Sequence, residues 1–169
     1  MISHYLVRQG IPVQIECVRA LTPEMIRGKN LIVVASMRYR SLLKHMNLPR
    51  EFIFDGRGEG SIVNVHRRPG EAAYYANSRG PGFATSYAMV SVWAGDSPRR
   101  RMIELSGSHS WSTLAAVEYL ASRKGARELA RLFRSEGRPE PTSFQVLLEA
   151  ERRGGRVESI RYVTHRVLE

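Results

Sequence analysis

Eight consecutive residues, Ser106-Gly-Ser-His-Ser-Trp-Ser-Thr113, hold four serines, a threonine, a histidine and a tryptophan. An apolar run, Arg101 to Leu105, leads into them, and an alanine-rich run of helical character leads out. Two chemistries suit such a stretch. The first is nucleophilic catalysis by a serine on a strained strand-to-helix elbow of the form G-x-S-x-G. Aligned on Gly107, the bulky Trp111 stands where the second glycine belongs, and the chain has only two aspartates, Asp55 and Asp96, to orient a base. Ser108 and Ser110 are the nucleophile candidates of this small serine-hydrolase reading, with His66 and His165 as bases. The second is anion binding, because a helix N-terminus presents unpaired N–H groups and a partial positive charge.

The anion reading draws on a second loop, residues 35–41, that also leads from an apolar strand into a helix. Ligands of open α/β sheets sit beyond the carboxyl ends of the strands, where such loops meet. The candidate ligand-binding residues are Ser36, Arg38 and Arg40 from the first loop. From the second they are Gly107, Ser108, His109, Ser110, Ser112 and Thr113. Gly107 permits a close turn, the hydroxyls add donors, and the arginines offer forked charge-assisted bonds. The plain alternative is that Ser110 or Ser112 caps the helix and the arginines are solvated.

A third reading comes from charge. The chain has 26 Lys+Arg against 16 Asp+Glu, a formal charge of +10, and all but three of the cations are arginine. Such an excess attracts nucleic acid or small anions, although an arginine-, alanine- and glycine-rich composition also follows from a GC-rich genome. Arg123, Arg127, Arg131 and Arg134 fall within about 80° of one helix face at about 100° per residue. They are the candidate nucleic-acid contacts, with a solvated helix face as the plain alternative.

The motifs of several other classes are absent. There is no P-loop lysine and no G-x-G-x-x-G, and the five histidines show no paired metal-ligand spacing. No metal site and no cofactor is expected. The single cysteine, Cys17, excludes an intramolecular disulfide. No apolar run reaches the about 20 residues that span a bilayer, and the N-terminal ten residues are too polar for a signal peptide. These features predict a cytoplasmic chain that does not contact a membrane; they leave the oligomeric state open.

The elements that must position these residues are read from periodicity. A helical end at residues 4–9 closes at Gly10, and residues 13–18 alternate as a half-buried strand. Thr22-Pro-Glu24 starts a helix of about two turns. Residues 30–35 form a continuous apolar run, the pattern of a strand covered on both faces, followed by a helix near residues 40–46. Short strands are expected at 52–54, 61–65 and 72–75, then a hairpin of residues 86–93 and 101–105. A long helix runs from the serine-rich stretch to about Phe133, with an interruption at Gly125. Residues 143–151 and 157–167 pair across Gly154-Gly155, a hairpin signal, although their apolar alternation is imperfect. Hydrophobic content of 43% over 169 residues supports one folded domain spanning residues 1–169. The fold class is α/β: a single-domain layered sandwich with a mixed, parallel plus antiparallel sheet and a C-terminal β-hairpin. No strand precedes the first helical segment, which fits the C-terminal part of a larger architecture.

Three segments carry a resemblance: NLIVVAS at 30–36, SYAMVSVW with RRMIELSGSHSWSTLAAVEYL up to residue 120, and SFQVLLEAERRGGRVESIRYVTH at 143–165. They are similar to an uncharacterised bacterial α/β domain of acidobacterial type, which commonly sits C-terminal to winged-helix or other regulatory modules. Gly107, Thr113, Ala115, Ala116, Glu118, Thr164 and His165 match its pattern. Ala35, Tyr39, Ser41 and Ser112 depart from it. The resemblance implies the fold and a regulatory or sensory context; it implies no reaction. Taken together, the expectation is a non-enzymatic ligand-binding or interaction domain for a small anionic ligand.

Overall fold

The Gly-Gly hairpin and the serine-rich helix start anchor two halves of one layered fold. A computed structural model describes residues 2–17, 20, 22–36, 48–56, 60–95, 97, 99–138 and 140–168, the side chains of Tyr5, Pro23 and Ser36 excepted. The helices are α1 (Ile2–Arg8), α2 (Pro23–Ile26), α3 (Ser110–Ala121) and α4 (Arg123–Ser135). The strands are β1 (Leu31–Ser36), β2 (Phe52–Phe54), β3 (Ile62–Asn64), β4 (Tyr74–Tyr75), β5 (Ser78–Gly80), β6 (Phe83–Ala94), β7 (Arg101–Gly107), β8 (Phe144–Arg153) and β9 (Arg156–Val167).

The main sheet has the order β1-β7-β6-β8-β9, with β5 on β6 beyond the end of β7. Only β1 and β7 pair in parallel; the other pairings are antiparallel. The sheet is therefore mixed, and its C-terminal pair β8–β9 is a hairpin turning at Gly154 (φ 52°) and Gly155 (φ 87°). Both positive angles suit the two-residue turn that matches strand twist.

Helices cover one face of this sheet. Ala88, Val90, Val92, Leu105, Val146 and Leu148 pack there beneath Ala116, Val117 and Tyr119 of α3 and Leu129 and Phe133 of α4. The other face carries a small sheet of order β2-β3-β4, through Phe52, Phe54, Ile62 and Tyr75 on Met89 and Leu147. The buried amide of Gln145 clips the two sheets together. Its Oε1 accepts from the N–H of Glu51 and of Phe52, and its Nε2 donates to the Phe52 carbonyl and to Ser91 Oγ.

A second polar clip holds the loop after β3. Arg166, only 5% exposed, donates to both carboxylate oxygens of Glu71. Glu71 also accepts from Thr164 Oγ1, the Arg68 N–H and Asn64 Nδ2. The Arg166 guanidinium holds the Glu71 carboxyl well below the usual carboxylate range, against the opposing effect of burial.

The pairing of β8 with β9 slips by one residue at Val163, where Leu147 faces Thr164 and Leu148 faces Tyr162. This bulge breaks the two-residue alternation. Tyr162 and His165 consequently lie on the helix side, while Thr164 and Arg166 reach the small sheet. On the helix side, the Tyr162 hydroxyl meets His165 Nδ1 at 2.7 Å, and His165 Nε2 meets Glu136 Oε2 at 3.1 Å.

Several expectations are corrected. Residues 11–17 form no strand and have no ladder partner; Ile15 is 76% exposed. The helix at Thr22 is a single turn, capped by a 3.4 Å bond from the Met25 N–H to Thr22 Oγ1. Among the described side chains of β1, Val33 and Ala35 are buried, whereas Val34 is 54% exposed, so one face is covered rather than two. The expected helix at 40–46 lies outside the described residues. The long helix breaks at Ser122, three residues before Gly125. Ser122 Oγ accepts from the Gly125 N–H to cap α4, and a Cβ on Gly125 would sit 2.1 Å from the Tyr119 carbonyl oxygen.

Candidate functional site

Parallel pairing brings the ends of β1 and β7 side by side, with Ser36 in register with Gly107. The two strand-to-helix loops singled out above therefore start from adjacent strands. Arg38 and Arg40, and the rest of residues 37–47, lie outside the described residues.

The start of α3 is built from inward-facing bonds. Gly107 is a packing necessity: a Cβ there would stand 2.4 Å from the Thr113 nitrogen and 2.5 Å from Ser112 Oγ. The N-cap is His109 rather than a serine. The His109 N–H donates to Ser112 Oγ at 3.1 Å, and both Ser112 Oγ and Thr113 Oγ1 donate to the His109 carbonyl. Ser112 and Thr113 are buried. The Ser108 hydroxyl donates to the Gly60 carbonyl, with the Tyr87 carbonyl 3.5 Å away, so it ties the β7 end to the loop after β2. The histidine contact near this turn goes to a serine that sequence reasoning did not consider. Ser86 Oγ lies 3.2 Å from both His109 Nδ1 and Ser112 Oγ, and Ser86 is fully buried. Ser110 is exposed.

From the stretch 106–113, His109 and Trp111 line a cleft. A cleft of about 400 Å³ opens beside the first turn of α3, bounded by the β5–β6 turn and the β8–β9 turn. Its walls carry Arg79, Phe83 and Arg152 together with His109 and Trp111, and none of its lining residues is acidic. The rings of His109 and Trp111 stack at 5.9 Å with an interplanar angle of 24°. The Arg152 guanidinium stands over the Trp111 ring at 5.8 Å, within the range of a cation–π contact. Neither the Arg79 nor the Arg152 guanidinium forms a hydrogen bond or an ion pair among the described residues. Their neighbour Arg153 by contrast bonds Glu151 and Glu158.

Arg79, Phe83 and Arg152 were not anticipated from sequence, since they lie on three strands whose ends meet only in the fold. One local signal existed. Arg152 precedes the Gly-Gly turn by two residues, which fixes it at the rim of the sheet.

A second cleft of about 510 Å³ runs between the α3–α4 junction and β9. Its lining mixes Glu118, Glu128 and Glu158 with Lys124 and Arg161, so no single ligand charge is favoured. The Tyr119 hydroxyl there donates to Glu128 Oε2 at 2.8 Å, and burial, then Glu128, keep it protonated well above the usual tyrosine range.

On α4, Arg123, Arg127, Arg131 and Arg134 all face solvent. Arg134 Nε donates to the Ala130 carbonyl of its own helix, whereas the other three have no partner among the described residues. His66 pairs with Glu51 and His165 with Glu136. Among the described residues, no group of three histidine, cysteine, aspartate or glutamate side chains is arranged to hold a metal ion. No described helix is long and apolar enough to cross a membrane.

Fold and site together define an α/β protein with a mixed central sheet and a basic, aromatic cleft at the start of its longest inter-strand helix pair. Comparison with protein-family models, curated proteins and solved structures finds no match.

Proposed function

We propose that this chain is a non-enzymatic ligand-binding domain of regulatory or sensory type, working in the cytoplasm, that holds a small anionic ligand in the cleft beside α3. The supporting observation is a lining that contains two arginines without acid partners and no carboxylate. An anion there satisfies guanidinium donors that the protein itself leaves open. The positive end of the α3 dipole adds a favourable partial charge. The regulatory context rests on the resemblance of the strand and helix motifs to the bacterial domain described above.

The test is thermal stability against a panel of small anions at constant ionic strength. A ligand bound only by the folded state stabilises it by about 2.7 kcal/mol at a hundredfold excess over Kd. The expected outcome is a concentration-dependent rise in Tm that Arg79→Ala and Arg152→Ala each weaken. A panel without any shift, or shifts that survive both substitutions together, would sink the reading.

A second reading is favoured by the α4 face, where three solvent-facing arginines lack acid partners. It makes this helix a backbone contact for nucleic acid. Binding to a duplex should then fall at least tenfold between low and moderate salt, as counterion release requires, and should weaken in an Arg127→Ala/Arg131→Ala variant. Salt-independent binding, or equal binding by that variant, counts against it.

A further inference from the structure

We infer that the ligand of the cleft beside α3 is not a bare anion but a flat aromatic ring carrying an acid group, with the ring on Trp111 and the acid on Arg152 and Arg79. This inference rests on the proposal that the cleft binds an anion.

Trp111 and Phe83 are the first argument. Both are large aromatic side chains on the walls of one cleft, yet neither belongs to any of the three buried clusters that hold the layers together. Phe83 is 40% exposed. Aromatic rings placed outside a core and around a cavity are the usual lining of small-molecule sites. The second argument is rigidity. Ser86 Oγ holds His109 Nδ1 from below, and the His109 ring stacks against Trp111. The indole is thus fixed by its neighbours before any ligand arrives, which lowers the ordering cost of binding.

The third argument is the relation of charge to ring. Arg152 lies over the indole at 5.8 Å, so an acid group bound by its fork is held next to an aromatic surface. Arg79 reaches the same cavity from β5. A ligand anchored at the guanidinium would extend its remaining bulk along Trp111, toward the wall formed by Gly82, Gly154 and Gly155. No neighbouring heavy atom lies within 4 Å of where a Cβ would stand on those three glycines, so that side is open. A cavity of about 400 Å³ is at the small-ligand end of binding-site volumes. An inorganic phosphate would leave most of the aromatic wall uncovered. Two chemical sources share the required features: nucleoside monophosphates and aromatic carboxylates.

Isothermal titration of the full chain with adenosine 5′-monophosphate, benzoate, inorganic phosphate and adenosine separates the possibilities. At least one of the ring-bearing anions should bind tenfold or more tighter than phosphate, in line with the contribution of a stacked base. The tighter of the two names the source. Trp111→Ala should remove that advantage while leaving the weaker phosphate binding in place, and Arg152→Ala should weaken every anion. Trp111 lies outside the buried clusters, so the variant is expected to fold; an unchanged Tm verifies this, and Trp111→Phe should restore part of the affinity. If phosphate binds as tightly as both ring-bearing anions and Trp111→Ala changes nothing, the ring is wrong while the anion site stands. If no anion binds, or adenosine matches its monophosphate, the anion reading itself is overturned.

Discussion

Glu71→Ala is expected to cost the fold about 3–5 kcal/mol, the range found when one partner of a buried ion pair is removed. Arg166 is only 5% exposed, and the substitution leaves its guanidinium without the two carboxylate oxygens that now receive it. Thr164 Oγ1, Asn64 Nδ2 and the Arg68 N–H lose an acceptor at the same time. Urea denaturation at neutral pH measures the loss; a difference under about 1 kcal/mol would show that the clip is dispensable. The same group gives acid sensitivity. In the folded chain Arg166 holds this carboxyl far below its usual range, whereas in the unfolded chain it ionises near about 4.3. The unfolded state therefore takes the proton first as pH falls. The contribution is complete above about pH 5 and declines steadily through the acid range toward the folded-state value. Glu71→Gln should be less stable at neutral pH and should show a flatter acid limb than the parent.

Gly107→Ala is expected to destabilise by about 3 kcal/mol, at the upper end of overpacking costs. The obstructing atoms are the Thr113 nitrogen and the Ser112 carbonyl carbon as well as Ser112 Oγ, and backbone at a helix start cannot rotate away. Relief would need α3 to lift from the end of β7, which opens the cluster formed by Leu105, Ala116 and Val117. Gly56→Ala is the control. A Cβ there meets nothing within 4 Å, so its Tm should stay close to the parent. Equal Tm for the Gly107 and Gly56 variants would refute the packing role.

Local chemistry made part of this molecule legible. Gly154-Gly155 announced the β8–β9 hairpin, and the hydroxyl-rich turn announced a helix start at the end of a strand. The imperfect alternation of residues 157–167 was also informative, because it is what single-residue slips at Glu158 and Val163 leave behind. What stayed hidden depends on long-range pairing. Gln145 clips a strand 93 residues away, and Arg166 reaches an acid 95 residues away; no local pattern encodes such partners. The same holds for the cleft. Trp111, which stands where a catalytic elbow needs glycine, becomes its wall once β5 and the β8–β9 turn stand beside it. The strand expected at 13–18 failed over 13–17 for the converse reason: alternation requires a neighbour to pair with, and there is none among the described residues.

The extra residue at Val163 acts as a frame marker for the last strand. Just upstream of it Ile160 and Tyr162 serve the helices; downstream His165 and Val167 do. Removing that residue alone would leave Leu147 opposite Thr164 and Leu148 opposite Tyr162 in an unbroken ladder, so Arg166 and His165 would keep their faces and only the Val163 contact with the small-sheet cluster would be lost. Deleting Val163 should therefore keep both polar clips at the loss of one apolar contact, so the strand carries a spare residue at the point where its two clips meet.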